Sequence, residues 1–106
     1  DALVRACGRG VDVSLVVDKR ANFSRHADAD VVRAAGGRVA ADGKHAIHHN
    51  KVIVIDTKTV LTGSFNHSDA AELRNAENLV KIVDAELAKK FEANFELHRL
   101  HSDSIK

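Results

Sequence analysis

Hydrophobic positions along this chain follow two periods in turn, one typical of helices and one typical of strands. Helical spacing over residues 1–9 and again over residues 25–35 predicts two helices, each of which meets glycines at its end. Alternating apolar and polar positions over residues 11–17 predict a strand between these helices. Residues 38–40 are predicted to form a short strand, and the polar stretch 41–48 is predicted to form a loop.

The second half of the chain contains the run that is richest in β-branched residues, at positions 51–55. Strand character resumes at 60–62, and the composition of residues 56–59 suits a turn, so a β-hairpin is predicted. Residues 77–83 are predicted to form a further strand.

Two more helices are predicted from their capping residues. Ser68 can cap a short helix that runs through Leu73, and Asp84 can cap the longest helix of the chain. Apolar residues recur in that last helix at four-residue steps and are expected to pack on the sheet. They are Leu87, Phe91 and Phe95.

Helices that alternate with strands around a central hairpin predict an α/β fold, namely an α/β/α sandwich with a mixed β-sheet. At 106 residues the chain is long enough for one core, so residues 1–106 are expected to form a single domain. No apolar run reaches the roughly 18 residues that a membrane span needs, and the chain is expected to be soluble. The single Cys7 excludes an internal disulfide.

The charges of the chain nearly cancel, with 16 basic and 15 acidic residues. This balance gives no global signal for a nucleic-acid or membrane partner, so an anionic ligand has to be bound by a local site. Four Phe and no Trp or Tyr provide few platforms on which bases could stack. Any binding of nucleic acid is therefore expected to be directed at the backbone.

Candidate chemistry is concentrated between His48 and Asn66. His49 and Lys51 have the same strand parity and are expected to face one side, whereas Asp56 has the opposite parity and follows the end of the strand. An imidazole and an ammonium group that converge in this way suit a phosphate, because the phosphate oxygen can accept a hydrogen bond while the ring nitrogen approaches phosphorus.

The spacing of His45, His48 and His49 also raises the alternative of a zinc site. No thiolate and no well-spaced carboxylate is expected to join these histidines. His45 and His48 are therefore interpreted as loop residues that add positive character, and no metal is expected.

The segment H-N-K-V-I-V-I-D-T-K-T-V-L-T-G-S-F-N matches H-x-K-x4-D-x6-G-S-x-N, and N-A-E-N follows it. In these motifs the chain resembles the phospholipase D superfamily, and it is most similar to the small single-motif bacterial phospholipase-D-like endonucleases. Members of this type usually have a further strand, helix and strand before the position of Asp1, so the resemblance implies an N-terminally shortened chain.

The resemblance implies that His49 attacks a phosphodiester to form a phosphohistidine, without a metal or other cofactor. Lys51, Ser64 and Asn66 would bind the substrate phosphate, and Glu77 would orient the imidazole. Asp56 completes the signature, and its parity indicates an indirect role. The implied catalytic residues are thus His49, Lys51, Asp56, Ser64, Asn66 and Glu77.

Single-motif members of the superfamily pair two subunits, so the resemblance implies a homodimer with the active site at its interface. The leading functional hypothesis is a phosphodiesterase that cleaves DNA or RNA with low sequence specificity. The alternatives are a phospholipid phosphodiesterase of the cardiolipin type and a non-catalytic module that binds phosphate or nucleic acid. The compartment is left open, with export to the periplasm expected if an upstream signal has been removed.

Overall fold

The computed structural model describes residues 1–20, 23–64, 66 and 69–104, and for residues 23–27 and 69–70 it describes the backbone alone. In chain order the elements are α1 (Ala2–Gly8), β1 (Ser14–Asp18), α2 (Phe23–Ala34), β2 (Arg38–Asp42), β3 (Val52–Ile55), β4 (Thr59–Gly63), α3 (Asp69–Leu73), β5 (Leu79–Val83), α4 (Ala85–Leu100) and β6 (Asp103–Ser104). The chain divides into two compact units, which are described separately. The first comprises Asp1–His48 and Leu97–Lys106, and the second comprises His49–Glu96.

The first unit contains a mixed three-stranded sheet with the order β1-β2-β6. β1 and β2 are parallel and pair from Ser14 with Arg38 to Asp18 with Asp42. Parallel strands need a long crossover connection, and α2 lies in that connection. β6 pairs with β2 in the antiparallel direction, which makes the sheet mixed.

β2 is the central strand of this sheet and also its most buried one. Val39, Ala40, Ala41 and Asp42 are all buried, and the Asp42 side chain is completely inaccessible to solvent. Small apolar residues suit a strand that is covered on both faces. The carboxylate at the end of the strand is therefore the exception, and its partners are described below.

The second unit contains an antiparallel sheet with the order β3-β4-β5. β3 pairs with β4 from Val52 with Thr62 to Ile55 with Thr59, and Val60 is fully buried on the central strand. In the turn of this hairpin, Asp56 has φ 55° and Thr57 has φ 51°. The N–H of Lys58 donates a hydrogen bond of 3.1 Å to the carbonyl oxygen of Ile55. Two consecutive left-handed residues are the geometry of a type I′ turn, whose twist matches that of the flanking strands.

α4 begins at the predicted cap. The Asp84 Oδ1 atom accepts hydrogen bonds from the backbone N–H groups of Glu86 at 2.9 Å and Leu87 at 3.1 Å. The stripe of Leu87, Phe91 and Phe95 is half-buried. Ser68, the predicted cap of α3, lies outside the described residues.

The α/β class and the mixed pairing predicted from the sequence are confirmed, although the described strands form two small sheets. β2 extends to Asp42, two residues beyond the predicted strand, and β6 was not predicted. The grouping of residues 1–106 into one domain stays a prediction. Within the described part of the chain, no helix has both the length and the apolar character needed to cross a membrane.

Candidate active site

His49 and Lys51 lie immediately before β3, and their side chains contact each other. The Lys51 Nζ atom lies 3.0 Å from His49 Nδ1 and 3.1 Å from His49 Nε2, and it donates a hydrogen bond of 3.0 Å to the His49 carbonyl oxygen. An ammonium group has donors but no acceptor, and a neutral imidazole presents a lone pair on one ring nitrogen, so Lys51 can donate to one of the two nitrogens and the tautomer decides which. That unprotonated nitrogen is the form of imidazole that can act as a nucleophile.

Ser64 follows β4 and is held by the chain segment that leads into β5. Its backbone N–H donates to the Asn78 carbonyl oxygen at 3.1 Å, and its Oγ atom accepts a hydrogen bond of 3.0 Å from the Asn78 N–H. The Ser64 hydroxyl donates in turn to the carboxylate of Glu77. These contacts fix the position and direction of the hydroxyl.

Glu77 was expected to orient the imidazole of His49. Among the described residues, its carboxylate instead accepts hydrogen bonds from Ser64 and from Asn75 Nδ2, the latter at 3.3 Å. Glu77 is therefore joined to the site through Ser64, and its action on His49 stays a prediction.

The glycine that precedes Ser64 is required by the close approach of the backbone of Asn78. Gly63 has φ 156°, and a Cβ atom there would collide with the Asn78 carbonyl oxygen. It would also lie 2.9 Å from Asn78 Oδ1 and 3.0 Å from the Asn78 carbonyl carbon. The motif glycine is thus explained by the pairing of β4 with β5.

An open cleft of about 580 Å³ brings most of these groups together. Its lining consists of His49, Asn50, Lys51, Val52, Thr62, Gly63, Ser64, Asn66 and Phe91. Four of the predicted site residues, namely His49, Lys51, Ser64 and Asn66, therefore share one surface. The volume is in the range of ligand-binding clefts, roughly 300–1,000 Å³.

Asp56 is not part of the cleft lining. It occupies the first left-handed position of the hairpin turn, and the four residues of β3 separate it from Lys51. At the rise of a strand the five residue steps from Lys51 to Asp56 span about 16 Å. Asp tolerates a left-handed conformation better than most residues do.

The first unit contains a group of ionisable side chains that was not predicted from the sequence. This histidine cluster consists of Asp42, His45, His48, His98 and His101. The distances from Asp42 Oδ2 are 2.8 Å to His45 Nδ1, 3.1 Å to His48 Nδ1, 3.2 Å to His101 Nε2 and 3.6 Å to His98 Nδ1. The prediction that no carboxylate joins His45 and His48 is therefore wrong.

The electrostatics of the histidine cluster reflect burial opposed by hydrogen bonding. Burial raises the pKa of Asp42, but hydrogen bonds from the His45 and His101 side chains and from the N–H groups of Lys44 and His45 outweigh it and hold the pKa well below its ordinary value. Burial, followed by the neighbouring imidazoles, lowers the pKa of His98 from its ordinary 6.5, although the Asp42 carboxylate acts in the opposite direction.

A recognisable spacing was present in the sequence. Asp42, His45 and His48 form D-x-x-H-x-x-H, and His98 and His101 form a second H-x-x-H close to the C-terminal end. Residues 41–48 were predicted to form a polar loop, and Asp42 was therefore expected to be a loop residue. It belongs instead to the buried strand β2, where its carboxylate can contact the histidines.

Comparison with known proteins extends the likeness over nearly the whole chain. Residues 1–99 match the family described as cardiolipin synthase, PLD-like domain. The chain is 43% identical over 94 residues to a phospholipase D of Rickettsia bellii, an alignment that covers 89% of this chain and 47% of that protein. It is 31% identical over 96 residues to a mitochondrial cardiolipin hydrolase of Chlamydomonas reinhardtii, with 91% of this chain and 43% of that protein covered. The chain thus spans about half the length of the curated relatives it matches.

The fold has a close counterpart among solved structures. It superimposes on the crystal structure of the phospholipase D family member Nuc from Salmonella typhimurium with a TM-score of 0.91. The sequence identity is 38%, and the match covers 99% of this chain and 71% of that one. The resemblance predicted from the H-x-K-x4-D motif is confirmed, and the chain belongs to the phospholipase D-like family of phosphodiesterases.

Proposed function

We propose that this chain hydrolyses phosphodiester bonds through a phosphohistidine formed on His49, and that its substrate is a nucleic-acid strand. The observation that carries the proposal is the contact between the Lys51 ammonium group and the His49 ring at the edge of an open cleft. This contact combines a nucleophile with a cation that can hold a phosphate oxygen.

The proposed reaction has two displacements at phosphorus. A ring nitrogen of His49 attacks, so that an N–P bond forms as the bond from phosphorus to the leaving oxygen breaks and that oxygen takes up a proton. Water then attacks phosphorus, the N–P bond breaks, and free imidazole is restored. Lys51, Ser64 and Asn66 bind the nonbridging oxygens, where negative charge develops in both steps.

The proton for the leaving oxygen requires a second acid, and these 106 residues contain one copy of the motif. A homodimer with two-fold symmetry would supply His49 of a second copy to the same phosphate. In this arrangement one histidine is the nucleophile, and the other protonates the leaving oxygen in the first step and accepts a proton from the attacking water in the second.

Nucleic acid is favoured by the form of the cleft, which is open and lined by the Lys51 cation and by polar side chains, with Phe91 as the aromatic residue of its lining. Such a surface suits the repeated phosphates of a polymer with little reading of bases. A phospholipid is the second candidate, because the matching family is described as cardiolipin synthase and relatives are named cardiolipin hydrolase. Its headgroup would offer the same phosphodiester to His49.

The test compares cleavage of single-stranded DNA, RNA and cardiolipin vesicles by the parent chain, His49→Ala and Lys51→Met, each in excess chelator. Lys58→Met is the matched control, because Lys58 is an exposed lysine of the hairpin turn. We expect His49→Ala to abolish an acid-labile, base-stable phosphoprotein, and Lys51→Met to lower kcat by about 100–1,000-fold. Lys58→Met should retain the parent rate.

The outcomes separate the candidate functions. Cleavage of the nucleic acids with intact vesicles supports the leading proposal, and the reverse supports the phospholipid alternative. Nucleic-acid binding without turnover in the parent chain would indicate a non-catalytic module. Undiminished turnover by His49→Ala would exclude the proposed nucleophile.

A further inference from the structure

In the histidine cluster, more imidazole nitrogens lie near one oxygen of Asp42 than that oxygen can accept hydrogen bonds from. A carboxylate oxygen offers about two lone pairs, yet three imidazole nitrogens lie 2.8, 3.1 and 3.2 Å from Asp42 Oδ2. The other oxygen, Oδ1, accepts from the Lys44 N–H at 2.9 Å and from the His45 N–H at 3.4 Å. Hydrogen bonding to Asp42 therefore cannot satisfy all the imidazoles at once.

The fourth imidazole shows the consequence of this crowding. His98 Nδ1 is buried, lies 3.6 Å from Asp42 Oδ2, and has no hydrogen-bond partner among the residues that the structure describes. A buried polar atom without a partner costs free energy in a folded protein. A cation between these groups would bind the lone pairs of several nitrogens and of the carboxylate together.

The distances are compatible with a single ion. The ligand atoms of Asp42, His45, His98 and His101 all lie within 4.8 Å of one another. Tetrahedral zinc at about 2.0–2.1 Å from its ligands needs ligand atoms roughly 3.4 Å apart. The His45 side chain is 44% exposed and can rotate to contract the site, while Asp42 is fully buried and fixed.

We propose that Asp42, His45, His98 and His101 form a binding site for one divalent first-row transition-metal ion, with zinc as the ion of best fit. Three imidazoles and one carboxylate are ligands that suit Zn²⁺, whereas Mg²⁺ and Ca²⁺ prefer sites made of oxygen atoms. His48 Nδ1 lies 3.1 Å from the liganding carboxylate oxygen and orients it as an outer-sphere partner. None of these residues belongs to the proposed phosphodiesterase site.

Hydrogen bonds from elsewhere in the first unit hold the backbone of the loop that carries His45 and His48. The guanidinium group of Arg20 donates to the carbonyl oxygens of His45 at 2.6 Å and Ala46 at 3.4 Å. Asp18 accepts a hydrogen bond of 2.9 Å from the His48 N–H. The metal would join this ordered loop to the C-terminal end of α4, which carries His98, and to His101 beyond it. Its role is thus a structural one within the first unit.

The test measures metal directly and does not depend on catalysis. The full chain is stripped with chelator, dialysed, and titrated with Zn²⁺ by calorimetry and with Co²⁺ by visible absorption. We expect one ion per chain, the intense absorption of tetrahedral Co²⁺, and a rise in Tm of about 10 °C at a zinc concentration 100 times Kd. His45→Gln and His101→Gln should each weaken binding by at least about 10–100-fold.

His49→Gln is the matched control, since it removes an imidazole that is not a ligand and should bind zinc with the parent affinity. His45→Gln keeps the test informative if His101→Gln fails to fold, because the His45 side chain is partly exposed. Stoichiometric binding that is lost in these two variants and kept in His49→Gln supports the site. The absence of stoichiometric binding by the folded parent chain, or equal affinity in all variants, would overturn it.

Discussion

Substitution of Gly63, the glycine of the motif, should weaken the sheet of the second unit and disturb the candidate active site at the same time. In Gly63→Ala, the new methyl group collides with the backbone of Asn78. A flexible side chain could move aside, but the backbone next to a paired strand cannot. Relief of the collision requires β5 to move away from β4. That movement would break the two hydrogen bonds that the N–H and the Oγ atom of Ser64 make with the backbone of Asn78, and it would displace the Ser64 hydroxyl from the cleft.

The expected loss of stability follows from two contributions. A non-glycine residue at a strongly unfavourable φ costs about 1–3 kcal/mol, and a methyl group forced into packed structure costs about 1–3 kcal/mol more. The free energy of unfolding should therefore fall by roughly 2–6 kcal/mol, a large change for one substitution. Cleavage of the phosphodiester should fall with it, because Ser64 loses its fixed position.

Gly36→Ala separates the two contributions. Gly36 has φ 104°, but a Cβ atom there would meet no atom within 4 Å, so this variant carries the backbone strain without the collision. Urea denaturation of both variants and of the parent chain, followed by circular dichroism, gives the difference. Equal losses in Gly63→Ala and Gly36→Ala would refute the reasoning, because the contact with Asn78 would then contribute nothing.

Two other predictions concern stability. Thr57→Gly should raise the free energy of unfolding by about 0.5–1 kcal/mol. Removal of a left-handed β-branched residue stabilises by about 1–2 kcal/mol, but glycine loses more conformational entropy on folding, which cancels part of this gain. In excess chelator, stability should fall as the pH is lowered from about 7 to 5, because burial and the other imidazoles of the histidine cluster hold the pKa of folded His98 below the 6.5 of the unfolded chain. As the pH falls towards and below 6.5, the unfolded chain binds a proton at His98 more readily than the folded chain does. His98→Gln should therefore flatten the dependence of stability on pH.

Each of these predictions has its own control. Thr57→Ala keeps a Cβ atom at the left-handed position, so thermal denaturation should show no comparable gain, and an equal gain would contradict the turn argument. His49→Gln leaves the buried imidazoles in place and should keep the parent pH dependence. A His98→Gln variant with the full slope would assign that slope to other groups.

The candidate active site could be predicted from the sequence because its residues are close together along the chain. Hairpin register places His49, Lys51 and Ser64 on adjoining strand ends, whereas Asp56 lies in the turn at the opposite end of the hairpin. The observed contact of Glu77 is with Ser64, which was not expected, and the catalytic roles of the site residues stay predictions.

The histidine cluster could not be predicted in the same way. It depends on β2 reaching Asp42 and on the return of residues 98–101 to that strand end, and neither follows from local periodicity. β6 is similar, because a two-residue polar strand has no pattern of its own and forms by pairing with β2. Long-range pairing therefore accounts for what the sequence analysis missed.

The two sheets also differ in when their strands become available during synthesis. β3, β4 and β5 are sequence neighbours, and a hairpin closes in about 1–10 μs, far faster than the ribosome adds a residue at about 5–20 per second. β2, by contrast, receives β6 only after residues 103–104 have been made. The nascent chain therefore holds a formed candidate active-site hairpin while its most buried strand still presents an unpaired edge, and a chaperone that shields this edge would act on the first unit.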